Sequence, residues 1–178
     1  AAEKTSRPGV GTCSMLGTAN TMSCLAEILG ISLPGCALAH AVSAEKRRIA
    51  KQSGRRIVEM VKEDLTPRKI MTRNSLRNGV MVSMAMGAST NSTLHLPAIA
   101  HEAGIPLSLK DFDEISRNVP YLCNIKPSGQ YPLSVLEENG GIPAVMKSLE
   151  HVLHLSAMPG TGKPVGENLE DVELVETD

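Results

Sequence analysis

The sequence predicts a helix-rich chain with little β structure. That suits a stand-alone helical bundle, or equally the helical flank of an α/β domain whose strands lie elsewhere. Three observations carry this reading. Apolar residues return at helical spacing in several separate stretches. Helix start and stop signals bracket those stretches. Only one segment, around residues 119–131, has the composition of a strand.

Taken in order, residues 1–10 read as a polar lead-in. Met22, Leu25, Ala26 and Leu29 then share one face of a helix over 18–29, with Gly30 as its C′ residue. After a loop or short extended stretch, Ser43 caps a helix running to about residue 63. Its expected inner side holds Ile49, Ser53, Ile57, Met60 and Val61, and its outer side holds Lys46, Arg47, Arg48, Lys51, Arg55 and Arg56. Thr66-Pro67 reads as an N-cap followed by proline at the first helical position. Thr72 starts the next helix, which continues through Leu76, Val80 and Met84 to Gly87. The stretch after it places Leu94, Ala98 and Ile99 on one face and stops at Gly104, with Pro97 near its first turns or kinking it. Ser108 caps a short helix with Leu109, Phe112 and Ile115 inward. The strand candidate "VPYLCNIKPSGQY" ends in a Pro-Ser-Gly turn, and two short helices follow, at 132–138 and 143–153. The Gly/Pro-punctuated acidic tail from 159 to 178 reads as an exit linker, leaving 1–158 as the helical body. There is no internal repeat.

Composition narrows the function classes. The 178 residues are 42% apolar, enough for a core, yet they include one Phe, two Tyr and no Trp. Nine Met and many aliphatic residues must fill the interior. Such aromatic-poor, Met-rich faces leave a non-catalytic scaffold or dimerisation module open. A net charge of −1 gives no basic excess for nucleic acid or an anionic membrane. No apolar run approaches the roughly 20 residues of a membrane span, and no signal peptide opens the chain. The expectation is a cytoplasmic protein. In that setting the four cysteines read as thiols or metal ligands rather than disulfides, and they contain no Cys-x-x-Cys.

Two clusters carry candidate chemistry. Cys13 sits in "GTCSMLGTANTM", a run of small residues that lets a bulky ligand approach the backbone. If a helix begins near Gly17 or Thr18, its amide end suits a thiolate, a nucleophile or a metal ligand. Residue type alone still favours a structural cysteine there, and favours small buried hydrophobes at Cys24, Cys36 and Cys123. The second cluster is "GASTN", where Ser89, Thr90 and Asn91 precede a helix. They can cap it, or offer side chains and amides to a carboxylate or phosphate. Other signals are weaker. His151 and His154 share a helical face without a third ligand. "PGTGKP" fails as a phosphate loop, because position 157 is Ala and Pro164 replaces the Ser or Thr after Lys163. The carboxylates lie mostly on solvated helix faces, and no pair stands out as an acid/base couple.

Longer strings go further. "GTCSMLGTANTMSCLAEILGISLPG", "SGRRIVEMVKEDLTPRKIMTR", "MAMGASTNSTLHLPAIAHEAGI", "LKDFDEISRNVPYLCNIKPSGQY" and "NGGIPAVMKSL" occur in one order, followed by "GTGKPVGENL". Together they resemble the dihydroxy-acid and 6-phosphogluconate dehydratase family over nearly all of residues 11–170. The resemblance implies a section of the N-terminal α/β domain of a two-domain enzyme. It implies a hydro-lyase that dehydrates a 2,3-dihydroxy acid to a 2-keto-3-deoxy acid. The family uses an iron–sulfur cluster, usually [2Fe-2S] with [4Fe-4S] as the alternative, and a nearby Mg²⁺. A cluster iron takes the departing 3-hydroxyl, magnesium holds the carboxylate and 2-hydroxyl, and a serine alkoxide takes the C2 proton. The family's third cluster cysteine lies in a motif matched by Gly11-Thr12-Cys13, so the resemblance makes Cys13 an iron ligand. It also places Ser89, Thr90 and Asn91 near the acid site.

The chain departs from the family pattern in what it lacks. The family's first two cluster cysteines, one in a Cys-Asp-Lys motif, and most magnesium ligands lie upstream, and its catalytic serine lies in a downstream β-barrel domain. None is matched here. Ala88 replaces the second Gly of the usual "GGSTN", and Pro97 stands where an apolar residue is more usual. The expectation is an internal section of a longer dehydratase, inactive alone, because one thiolate cannot hold a cluster that needs three protein ligands. The partners implied are a small hydroxy-acid substrate and further copies of the chain, as a dimer or tetramer. The wording of the motifs leans toward the sugar-acid branch, with the dihydroxy-acid dehydratase of branched-chain amino-acid synthesis as the alternative.

Overall fold

The computed structural model describes residues 11–174, so the lead-in at 1–10 lies outside the described residues. Within them the chain forms α1 (Thr18–Ile28), α2 (Ala44–Lys62), α3 (Pro67–Ile70), α4 (Arg73–Met86) and α5 (Ser92–Glu102). These are followed by α6 (Leu109–Ser116), α7 (Leu133–Glu138), α8 (Gly141–Ser148) and α9 (Val165–Leu169). Among the described residues no regular strand forms, and a single bridge joins Ile125 to Tyr131. The helix-rich expectation therefore holds.

Helix α4 is the axis of the core. It opens with the expected Thr72 cap, whose hydroxyl accepts from the Ser75 amide while the Ser75 hydroxyl accepts from the Thr72 amide. Leu76, Val80, Val82, Ala85 and Met86 are fully buried along it. Around α4 pack α1, α5, α6 and α8. They bring Leu25, Leu29, Leu96, Phe112, Ile115 and Ile142 into one cluster. The α1–α4 crossing is close because residue 79 is glycine. A Cβ there would lie 3.1 Å from Leu29. Asn78, on the same helix and fully buried, fixes the distant chain: its amide donates to His154 O at 3.1 Å and its carbonyl accepts from His154 N at 2.8 Å.

Four local expectations need correction. The strand candidate is irregular, because the Leu122 and Cys123 amides both donate to Ala85 O at the end of α4 rather than to a neighbouring strand. Past that point Asn124 folds the chain back, accepting from Gln130 and Tyr131. In α2 only Ile49 is buried, and Ile57 and Val61 are 55% and 76% exposed, so the expected inner stripe is uncovered at its C-terminal half. In α5 the inward face is Ser92, Leu96 and Ala100, while Leu94 is 68% exposed. Pro97 is accommodated inside this helix. Leu109 of α6 also faces out, and only Phe112 and Ile115 enter the core.

The segment read as an exit linker contains α9, whose Val165 and Leu169 are buried. Its "PGTGKP" stretch is held from α2 and from the turn after α1: Arg56 Nε donates to Gly160 O at 2.6 Å, and Gly160 N donates to Gly30 O at 2.7 Å. Arg56 is itself oriented by Glu63. One carboxylate escapes the solvated pattern. Glu27 of α1 is buried and accepts from the Gly35 and Ala37 amides at 2.7 and 2.8 Å, which shapes the 35–37 turn. Burial pushes its carboxyl up despite those two donors and the nearby Lys46. No helix among the described residues is long and apolar enough to cross a membrane.

Candidate functional site

Helix α1 begins within the small-residue run, at Thr18. Gly17 is its N-cap, with extended backbone and no capping side chain. The loop before it, residues 13–16, is pinned from three sides. Leu16 N donates to Lys126 O at 2.6 Å, and Leu133 N donates to Ser14 O at 2.8 Å, so the irregular 124–133 segment serves as its support. From within α1, the Asn20 amide reaches back over the first turn and donates to Cys13 O at 2.8 Å and Met15 O at 2.7 Å. The same nitrogen lies 3.6 Å from Cys13 Sγ, and the thiol itself points to Met15 O at 3.8 Å.

Cys13 is exposed, as are Gly11, Thr12 and Ala19 around it, while Asn20 is only 2% exposed. The site is therefore an accessible sulfur on a loop tied to the core by one buried side-chain amide and two backbone hydrogen bonds. The remaining cysteines differ. Cys24 and Cys123 are buried, and burial pushes the Cys123 thiol up to about 11. Cys36 lies beside Lys46, whose ammonium donates to Cys36 O at 2.5 Å. A labelling pattern follows. In cluster-free protein at pH 8, iodoacetamide is expected to modify Cys13 first and to spare Cys24 and Cys123 until denaturant is added. Peptide mass spectrometry reads this directly, and early modification of Cys123 would contradict it.

The second cluster meets the same helix end. Asn91 Nδ2 donates to Thr18 Oγ1 at 2.7 Å, and the Thr18 and Ser89 hydroxyls lie 3.2 Å apart. Ser89 N donates to Thr21 Oγ1 at 3.0 Å. Thr18 and Thr21 thus hold the 87–91 loop against α1 one turn or less from Asn20. Gly87 makes the approach possible. Its φ of 60° is left-handed, and a Cβ there would meet the Tyr121 ring at 2.5 Å.

The expectation of open amides at the start of α5 needs revision. Ser92, Thr93 and Leu94 donate their amides to the Ser89, Thr90 and Asn91 carbonyls at 2.9–3.0 Å. Asn91 does not cap α5, since its side chain turns to Thr18. What the loop offers a ligand includes the exposed Thr90. Sequence reasoning missed Asn20. The available signal was an asparagine at the third position of a helix, where its side chain can serve the preceding loop instead of the helix.

As a holder of an iron–sulfur cluster, this chain fits in one ligand. The exposed Cys13 sulfur, with an amide donor at N–H···S distance and small residues beside it, suits a ligating thiolate. Among the described residues no three His, Cys, Asp or Glu side chains converge on a common point. A complete ligand set would draw on groups beyond these residues.

The family model for the dihydroxy-acid/6-phosphogluconate dehydratase N-terminal region matches residues 1–168. The chain is 54% identical over 173 residues to the dihydroxy-acid dehydratase of Methanosarcina barkeri, covering 97% of the chain and 31% of that protein. Against the dihydroxy-acid dehydratase of Methanothermobacter thermautotrophicus, identity is 51% over 173 residues, or 97% of the chain and 32% of the relative. The dihydroxy-acid dehydratase of Halothermothrix orenii is 47% identical over 176 residues, 98% of the chain and 32% of the relative. The chain thus spans just under a third of the length of these curated relatives.

Proposed function

The chain belongs to the dihydroxy-acid/6-phosphogluconate dehydratase family, and from that premise we propose that the protein carrying it is a hydro-lyase. It removes water from a 2,3-dihydroxy acid to give a 2-keto-3-deoxy acid. The single observation that carries this reading is the family match over residues 1–168, and the exposed Cys13 thiol on its pinned loop accords with it. The relatives described above are all named dihydroxy-acid dehydratase, which favours that substrate class over the sugar acids.

In this reading Cys13 ligates one iron of the cluster, [2Fe-2S] or [4Fe-4S]. When bound, the cluster supplies a Lewis acid for the departing hydroxyl. The chain's own residues provide position and polarity. Asn20 and the 124–133 segment hold the Cys13 loop in register. Thr18, Ser89, Thr90 and Asn91 form a hydroxyl- and amide-rich wall at the same helix end, suited to a hydroxy acid. The Mg²⁺ of the family is held by groups outside this chain.

The test is substrate preference in the anaerobically reconstituted full-length protein. A branched-chain 2,3-dihydroxy acid is expected to be dehydrated with a kcat/KM at least about tenfold above that of a six-carbon aldonic acid. Keto-acid formation reports both. The reverse preference would return the sugar-acid reading, and dehydration of neither would refute the hydro-lyase assignment.

A further inference from the structure

Asn20 is one of seven buried polar or charged residues among the described residues, and its amide nitrogen has three acceptors around it. Two are carbonyls, at 2.8 and 2.7 Å, and the third is the Cys13 sulfur at 3.6 Å. Carbonyl acceptors on both sides identify the atom as nitrogen rather than the amide oxygen. Its two hydrogens point to the two carbonyls, and the sulfur, at the distance typical of N–H···S contacts, shares one of them as a three-centre contact. The anchor is rigid: α1 is fixed in the core through Cys24, Leu25, Ile28 and Leu29.

We propose that Asn20 is a positioning residue for the cluster, fixing the Cys13 loop through the Cys13 and Met15 carbonyls and donating an N–H···S hydrogen bond to the ligating sulfur. This rests on the reading of Cys13 as a cluster ligand. The geometry supports both halves. Once Cys13 carries negative charge as a thiolate, the N–H···S contact becomes charge-assisted and strengthens. Hydrogen bonds to cluster sulfurs draw electron density off the thiolate and raise the reduction potential, while outer-shell donors improve retention of the metal. The adjoining hydroxyls of Thr18 and Thr21 accept from the 87–91 loop, and neither has a contact with the Cys13 sulfur.

The experiment uses the reconstituted full-length protein with Asn20→Leu, Asn20→Ser and Cys13→Ser variants. Redox titration followed by EPR reads the cluster potential, and chelator challenge followed by visible absorbance reads its retention. Asn20→Leu is expected to move the midpoint potential to more negative values and to speed cluster release by about tenfold or more. Asn20→Ser, which keeps a small polar group but no amide donor, is expected to shift the potential in the same direction, and it carries the test if Asn20→Leu does not fold. A purely structural role would lower occupancy or stability while leaving the remaining cluster at the wild-type potential, and that result overturns the proposal. Cys13→Ser separates the two levels. Loss of the cluster there, with an unchanged potential in the Asn20 variants, removes this inference alone. Retention of a normal cluster in Cys13→Ser removes the ligand reading and the inference with it.

Discussion

Cys13→Ser in the full-length protein is expected to lower the dehydration rate by more than about 100-fold, beyond the 10- to 100-fold losses typical of residues that only support a metal ligand. Bound iron should fall with it. The fold should not. Cys13 is exposed and its side chain makes two long contacts, to Met15 O and from Asn20 Nδ2, so unfolding free energy is expected to stay within about 0.5 kcal/mol of wild type. That combination is diagnostic, because a cysteine serving only the structure would lose stability before activity. Iron analysis, kinetics and thermal unfolding of one preparation check it. Unchanged iron and rate would end the assignment of Cys13.

The largest stability effect is expected far from the site, at Asn78. Its side chain satisfies both the N–H and the C=O of His154, joining α4 to the turn after α8 across 76 positions of sequence. Asn78→Ala strands both groups in a region that offers no replacement from solvent, since Asn78 is fully buried. Each stranded partner costs about 1–3 kcal/mol, so a loss of about 2–6 kcal/mol is expected in the unfolding transition of this domain. Denaturant unfolding followed by far-UV circular dichroism measures it. A loss below about 1 kcal/mol would show that water or a shifted loop replaces the bonds, and that the staple is dispensable. The neighbouring His154 ring has its own difficulty: its Nε2 is buried without a partner, and burial and Arg77 hold its pKa down.

How legible this was in the sequence depended on how local the determinants are. Helix α4 was readable because its Thr72 cap, four-residue apolar spacing and terminal Gly87 all lie within fifteen or so positions of one another. Cys13 was readable as a thiol before a helix start, and the family strings gave it a role. The failures have a common cause, which is dependence on a distant partner. Residues 119–131 have the composition of a strand, but Leu122 and Cys123 find their acceptor in Ala85 at the end of a helix. The inner face of α5 is chosen by α1 and α4, which select Ser92, Leu96 and Ala100 over Leu94. In α2 the apolar stripe is genuine, yet Ile57 and Val61 meet no neighbour among the described residues that covers them. Asn20 was invisible for the opposite reason. Its partners are close in sequence, but an asparagine in a helix's first turn is so common that only its burial marks it out.

The central claim is that Cys13 ligates the iron–sulfur cluster of a dehydratase. Cysteine footprinting of the full-length protein tests it most directly. Holoprotein and chelator-stripped protein are alkylated in parallel under anaerobic conditions, and the Cys13 peptide is quantified by mass spectrometry. Cys13 should be protected in the holoprotein and become the first of this chain's four cysteines to react once the cluster is removed. Equal labelling of Cys13 in the two forms would contradict the account.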